Sequence, residues 1–135
     1  MSLTVKNYNP KDVTVTINGI YLTGLGEDMI SFEFDEERFE ATVGAQGDVV
    51  VNETNNQLAT LTVNIQATSP QYLECLRLAR NGTTFPVWVV NKSIGERCGG
   101  TMARFKNAPE IAYGTELDDR EFEIAIFDGV VEPVN

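Results

Sequence analysis

Leu58-Ala59-Thr60-Leu61-Thr62-Val63-Asn64-Ile65-Gln66-Ala67-Thr68 is the most regular stretch of the chain. Ala59, Leu61, Val63, Ile65 and Ala67 alternate with Thr60, Thr62, Asn64, Gln66 and Thr68. Successive side chains of a strand point to opposite faces, so this two-residue period puts the apolar residues on one face and the polar ones on the other. A strand of that kind packs one face on a core and wets the other, as antiparallel sheets do.

The same period continues upstream. Val13, Val15 and Ile17 alternate with Thr14, Thr16 and Asn18, and Asn18-Gly19 leads into Ile20-Tyr21-Leu22. Asn-Gly between two such runs is a hairpin turn. Ile30, Phe32 and Phe34 then alternate with Ser31, Glu33 and Asp35, the run passes through Phe39, Ala41 and Val43, turns in Gly44-Ala45-Gln46-Gly47 and returns as Asp48-Val49-Val50-Val51. A strand rises about 3.3 Å per residue, so a continuous hairpin over 29–53 is expected to project well beyond a compact core.

Downstream, Ser69-Pro70 offers an N-cap and a first-turn proline. Tyr72, Leu73, Leu76 and Ala79 recur at helical spacing and Asn81-Gly82 supplies a stop, which predicts one helix over 69–81. Strands follow over Phe85–Val90, Arg97–Phe105 and Arg120–Phe127, and Trp88, in the most apolar of them, is expected in the core. The expected fold is mainly β: a β-sandwich or partly closed barrel of antiparallel strands with one short flanking helix and a long projecting hairpin. With 135 residues the chain reads as one domain, with flexible segments at 1–9 and 129–135.

The residue inventory disfavours catalysis. The chain has no histidine, the commonest proton carrier near neutral pH and the usual activator of Ser or Cys nucleophiles. Cys75 and Cys98 lack the paired spacing of a zinc site and are expected as reduced thiols. Gly24-Leu25-Gly26 lacks the rest of a phosphate loop, and neither Asp118-Asp119 nor Asp35-Glu36-Glu37 has the spacing of a calcium loop. No catalytic, metal-binding or cofactor-binding residue is assigned. No apolar run approaches the roughly 20 residues of a membrane helix, and Met1–Lys6 lacks the apolar stretch of a signal peptide, so folding in a cytoplasm is expected.

Charge is unevenly placed. The net charge is −10; residues 27–53 hold nine acids against Arg38 alone, and 110–135 hold eight against Arg120 alone. Residues 74–106 carry six bases against Glu74 and Glu96. A solvated acidic surface explains this, and so does head-to-tail self-association of acidic on basic surfaces, which generates rings or filaments. Both readings disfavour a grip on nucleic acid, which needs clustered Lys and Arg.

Several motifs, in order, carry a resemblance. Asn9-Pro10-Lys11-Asp12-Val13-Thr14-Val15-Thr16-Ile17-Asn18-Gly19 resembles the start of the tail-tube proteins of contractile phage tails, a family related to bacteriocin and type VI secretion tube proteins. Phe39-Glu40-Ala41-Thr42-Val43-Gly44-Ala45-Gln46-Gly47-Asp48-Val49 is similar to the family's aromatic followed by a Val-Gly-Ala-x-Gly turn. Thr60–Val63, Gln66–Pro70 leading into a helix, Phe85-Pro86-Val87, Tyr113–Glu116 and Arg120–Phe122 complete the likeness over about residues 9–128.

The resemblance implies a single tail-tube domain over 1–135 that forms a ring, expected to be hexameric, with rings stacked into a hollow tube. It implies tail sheath, baseplate and tape-measure proteins as partners, and a place in the virion after synthesis in the bacterial cytoplasm. DNA would pass through the lumen without specific binding, and no stable membrane insertion is expected. Phe39, Val43, Val49 and Val51 are the expected subunit-interface residues. Glu33, Asp35, Thr60, Thr62, Asn64 and Gln66 are the expected lumen face, since polar and acidic walls do not retain a polyanion. The tube of a phage-derived bacteriocin or secretion device is one alternative. Others are a soluble β-sandwich module binding sugar or peptide through Trp88 or Tyr113, and a carboxylate-dependent hydrolase.

Overall fold

The computed structural model describes residues 3–134. A 3-10 turn at Pro10–Asp12 leads into β1 (Val13–Ile17) and β2 (Ile20–Tyr21), followed by β3 (Leu25–Phe34), β4 (Phe39–Val43), β5 (Val49–Glu53) and β6 (Ala59–Ile65). Helix α1 (Tyr72–Asn81) precedes β7 (Phe85–Asn91), β8 (Glu96–Phe105), β9 (Arg120–Ile126) and β10 (Val130–Pro133). An eight-stranded antiparallel sheet runs in the order β2-β1-β7-β8-β9-β6-β3, with β10 paired to β8, and β4-β5 forms a separate two-stranded sheet. The molecule is mainly β, with one short helix.

The alternation in β6 determines its burial. Ala59, Leu61, Val63 and Ile65 are buried, whereas Thr60, Thr62 and Asn64 remain partly exposed. Leu61 stands opposite Phe32 of β3 and Ile124 of β9, and Ile124 opposite Phe105 of β8, so one apolar row crosses four strands. Full burial of each such side chain stabilises the fold by about 1.5–3 kcal/mol. Val15, Ile17, Phe85, Val87 and Val89 bring the rest of the sheet into the same core, and Tyr72, Cys75 and Leu78 of α1 close it. Ring centroids at 5.1 Å for Phe85–Phe105, 5.0 Å for Phe105–Phe122 and 6.0 Å for Phe122–Tyr72 link β7, β8 and β9 to the helix.

The Asn18-Gly19 hairpin forms as expected, with Ile17 opposite Ile20. Asn18 and Gly19 both take positive φ, 53° and 80°, as the mirror-image hairpin turn requires. Four other expectations change. The helix starts at Tyr72, three residues later: the Ser69 hydroxyl accepts the Gln71 N–H at 3.3 Å in the turn ahead of it and donates to the Thr23 carbonyl at 2.5 Å, tying that turn to the link ahead of β3. The 29–53 hairpin divides in two. β3 pairs with β6, and only Phe39–Glu53 projects: the Asp35 N–H donates to the Leu58 carbonyl as the last rung of the β3-β6 ladder, the Thr60 hydroxyl donates to the Asp35 carboxylate, and the chain bends at Asp35-Glu36 before β4. Trp88 is not in the core. Phe85, Val87 and Val89 take the inward face of β7, so Trp88 points outward, half-buried, with the Arg97 guanidinium 4.4 Å from its ring. Within 129–135, Val130–Pro133 is a strand on the first half of β8.

Candidate assembly surfaces

Three surfaces are left without a partner in the isolated chain. The first is the β4-β5 hairpin. Val43 stands opposite Val49 and Ala41 opposite Val51, so Phe39, Ala41, Val43, Val49 and Val51 share one face, with Glu40, Thr42 and Asn52 on the other. The four expected interface residues are therefore brought together. Their exposure runs from 55% at Phe39 to 64% at Val43, although β-branched strands of this kind normally pack against something.

The second surface is the outward face of β8, β9, β6 and β3. Glu33 pairs with Thr60, and Thr62 stands between Ser31 and Glu123, so these expected residues lie on one face. Thr60 donates to Asp35 at 2.9 Å, and Asn64 donates through Nδ2 to the Asp28 carbonyl at 2.6 Å. Gln66 lies past the end of β6, its backbone N–H donating to the Gly24 carbonyl at 2.7 Å. Arg104 and Lys106, absent from the expected set, share this face: Arg104 stands opposite Ala125, and Lys106 Nζ reaches the Thr60 hydroxyl at 3.1 Å and Glu123 at 4.0 Å. Exposed pairs of this sort contribute about 0–1 kcal/mol and mainly set local charge. Alternation with buried Ala103 and Phe105 points Arg104 and Lys106 outward, but their neighbours depend on register, which the periodicity leaves open.

The third surface is a groove of about 790 Å³ between β3 and the layer of β1, β7, β8 and β10. Met29, Ile30, Phe32, Val89, Cys98 and Val131 form its apolar lining, Glu27, Asp28 and Glu96 stand on its rim, and Tyr8 and Pro10 approach from the segment ahead of β1. One edge of β3 is paired to β6 and the other is free.

The ionisable groups whose pKa departs from the ordinary value serve the fold, Cys98 of the groove lining among them. Burial raises the Asp128 carboxyl, but hydrogen bonds from the Thr101 hydroxyl and from the Met102 and Thr101 amides outweigh it and hold its pKa below the ordinary value. Burial, reinforced by Glu74 and Glu96 respectively, pushes the Cys75 and Cys98 thiols up to about 11, so neither is a ready nucleophile. Arg120, 2% exposed, donates to the Asp118 carbonyl at 2.9 Å beneath the Tyr113 ring. Among the described residues no three His, Cys, Asp or Glu side chains converge as metal ligands would.

The fold is shared with contractile injection systems. A chain of the sheath-tube complex of an extracellular contractile injection system, the PVC, in its extended state, superposes with a TM-score of 0.64 at 9% identity, covering 90% of this chain and 88% of that one. The tube-terminating cap of the anti-feeding prophage gives 0.62 at 10% identity over 98% and 96% of the two chains. The sheath/tube terminator of the PVC gives 0.55 at 7% identity over 96% and 99%. No protein-family model matches the sequence, and no curated protein matches it. What is held in common is the backbone plan, with almost none of its side chains.

Proposed function

We propose that this chain is a non-catalytic structural subunit of a contractile tail tube, forming stacked rings, expected to be hexameric, around a central channel. The observation that carries the reading is the superposition on a sheath-tube chain along nearly the whole length of both partners. The hairpin agrees with it: a two-stranded ribbon is at best marginally stable alone, and this one exposes a continuous apolar face. Phe39, Val43, Val49 and Val51 are assigned to contact with a neighbouring subunit. Closure of sheets between subunits also removes free edges such as that of β3.

The face bearing Glu33, Asp35, Thr60, Thr62 and Asn64, with Gln66 at its end, is assigned to the lumen. Its polar and acidic groups leave DNA free to slide; of the two bases on it, Arg104 and Lys106, the latter has Glu123 4.0 Å away. Sheath, baseplate and tape-measure proteins are the partners, and the virion is the location. Replacing Thr60, Thr62 and Asn64 with Lys is expected to slow DNA ejection with assembly intact; unchanged ejection kinetics would remove the lumen assignment.

A second reading, a ring that terminates a tube, is favoured by the likeness to a tube-terminating cap over 98% of this chain. Negative-stain microscopy of the purified protein over a concentration series, with its mass from light scattering, decides between them. Long tubes with a central hole support the tube subunit, and single rings that never stack support the terminator. A monomer at every concentration overturns both. DNA in particles purified from cells distinguishes a phage tail from a bacteriocin or secretion device.

A further inference from the structure

We propose that the groove beside β3 receives residues Leu3–Asn7 of a second copy of this chain, which add as a strand to the free edge of β3. The receptor is an unpaired backbone edge above an apolar lining. β3 is ten residues long and hydrogen-bonded on one side only, a template for pairing with another chain.

The ligand is written in the same sequence. Leu3-Thr4-Val5-Lys6 repeats the alternation of a half-buried strand, yet it lies in no sheet, and Leu3 and Val5 are 88% and 80% exposed. Docked along β3, those two side chains meet Ile30 and Phe32, which share one face of the strand and line the groove. Charge agrees. Residues 3–11 carry Lys6 and Lys11 and no acid, and the rim presents Glu27, Asp28 and Glu96. Five extended residues span about 16 Å, the length of the regular Ile30–Phe34 stretch they would pair with, beyond the bulge between Leu25 and Ile30.

The occupant is a second copy: within the chain Tyr8 and Pro10 line the groove, but Leu3 and Val5 lie outside its lining and stand in water, free to engage the groove of a neighbour. Each copy then offers a segment at one place and a groove at another, the head-to-tail arrangement from which rings are built. The inference draws on the ring reading only for the presence of several copies.

Cys98 in the lining provides the test. A Val5→Cys chain is mixed with isotope-labelled native chain, oxidised mildly, and the disulfide-linked peptides are weighed by mass spectrometry. A disulfide between the thiol introduced at position 5 and Cys98 of the labelled chain is expected, and it disappears when the labelled chain carries Cys98→Ser. In parallel, Val5→Asp is expected to raise the concentration needed for association on the order of tenfold, about 1.4 kcal/mol, with the melting temperature of the monomer unchanged.

A disulfide confined to one chain overturns the inference. So do rings that form normally from Val5→Asp chains without cross-linking from the Val5→Cys chain, an outcome that leaves the tube reading standing. Cross-linked chains that never form rings support the inference and sink the tube reading. A chain that neither associates nor cross-links at any concentration sinks both.

Discussion

β6 and the β4-β5 hairpin are built from similar residues and have opposite fates. Leu61, Val63 and Ile65 are 0–1% exposed between β3 and β9, whereas Val43, Val49 and Val51 stand in water. Strand propensity does not separate them, since both are rich in β-branched side chains. What separates them is the number of neighbours: β6 is paired on both edges and covered on one face, while the hairpin is paired only within itself. The first sheet belongs to the folding of one chain; the second has the composition of a core but is left uncovered within the chain.

The comparison breaks most readily at Leu61. Leu61→Ala is expected to cost about 2–5 kcal/mol through lost burial and a cavity, read by chemical denaturation of the monomer. A loss below about 1 kcal/mol would mean that the core relaxes around the site and that β6 is not its centre.

The two glycine turns sharpen the contrast. Gly19, at φ 80°, closes the hairpin of the main sheet, and Gly47, at φ 93°, closes the projecting one. A Cβ at either meets nothing within 4 Å, so the cost of alanine is backbone strain alone, about 1–2 kcal/mol. Gly19→Ala should lower the global stability by that amount, with a matching fall in melting temperature. Gly47→Ala should leave it in place and instead speed amide exchange between Phe39 and Glu53. Equal loss of global stability from both would show that the hairpin folds as part of the core.

A smaller effect separates the regions by pH. The folded-state pKa of Asp128 is depressed, so its contribution is present above the ordinary value of 3.8 and lost as pH falls through the folded pKa. Part of the acid sensitivity of the main sheet should therefore vanish in Asp128→Asn, compared by thermal melts from neutral pH downward. The smallest change is expected from Val51→Ala: within about 0.5 kcal/mol for the monomer, but a clear loss of ring or tube formation by light scattering. Monomer destabilisation like that of Leu61→Ala would mean that the hairpin is already packed in solution.

Much of the fold could be read from side-chain alternation. It located the strand at 59–65 and the Asn18-Gly19 turn, because burial on one face is a local pattern. The helix is placed but its face is not, since Tyr72, Leu73, Leu76 and Ala79 are expected inward whereas Tyr72, Cys75 and Leu78 are buried and Leu73 is exposed. Long-range pairing is not local. Nothing in 29–53 announces that its first part, through Asp35, pairs in register with Leu58–Val63, so one long arm is expected where the molecule has a core strand and a shorter hairpin. Trp88 was misplaced for a related reason: aromatic size suggested a core, but position in the alternation decided the face. On the candidate surfaces, periodicity grouped the hairpin valines and the threonine row. Lys106 joined that row only through the register of β8 on β9 and β6.

β8 carries one more consequence. Its first half pairs with β10 on one edge and with β7 on the other, and β7 in turn holds β1. Val13 stands opposite Asn91, Asn91 opposite Glu96, and Glu96 opposite Pro133. The first residue of β1 and the last of β10 therefore lie on one rung, three strand spacings apart, about 14 Å. A linker of about five residues would bridge that gap, and the exposed turn around Gly114 is a place to reopen the chain. A circular permutant of residues 13–133 joined and cut in this way keeps every strand pairing described above while moving the polypeptide ends into the loop joining β8 to β9, which turns the β10-to-β1 side into a continuous seam and frees a new site for grafting cargo.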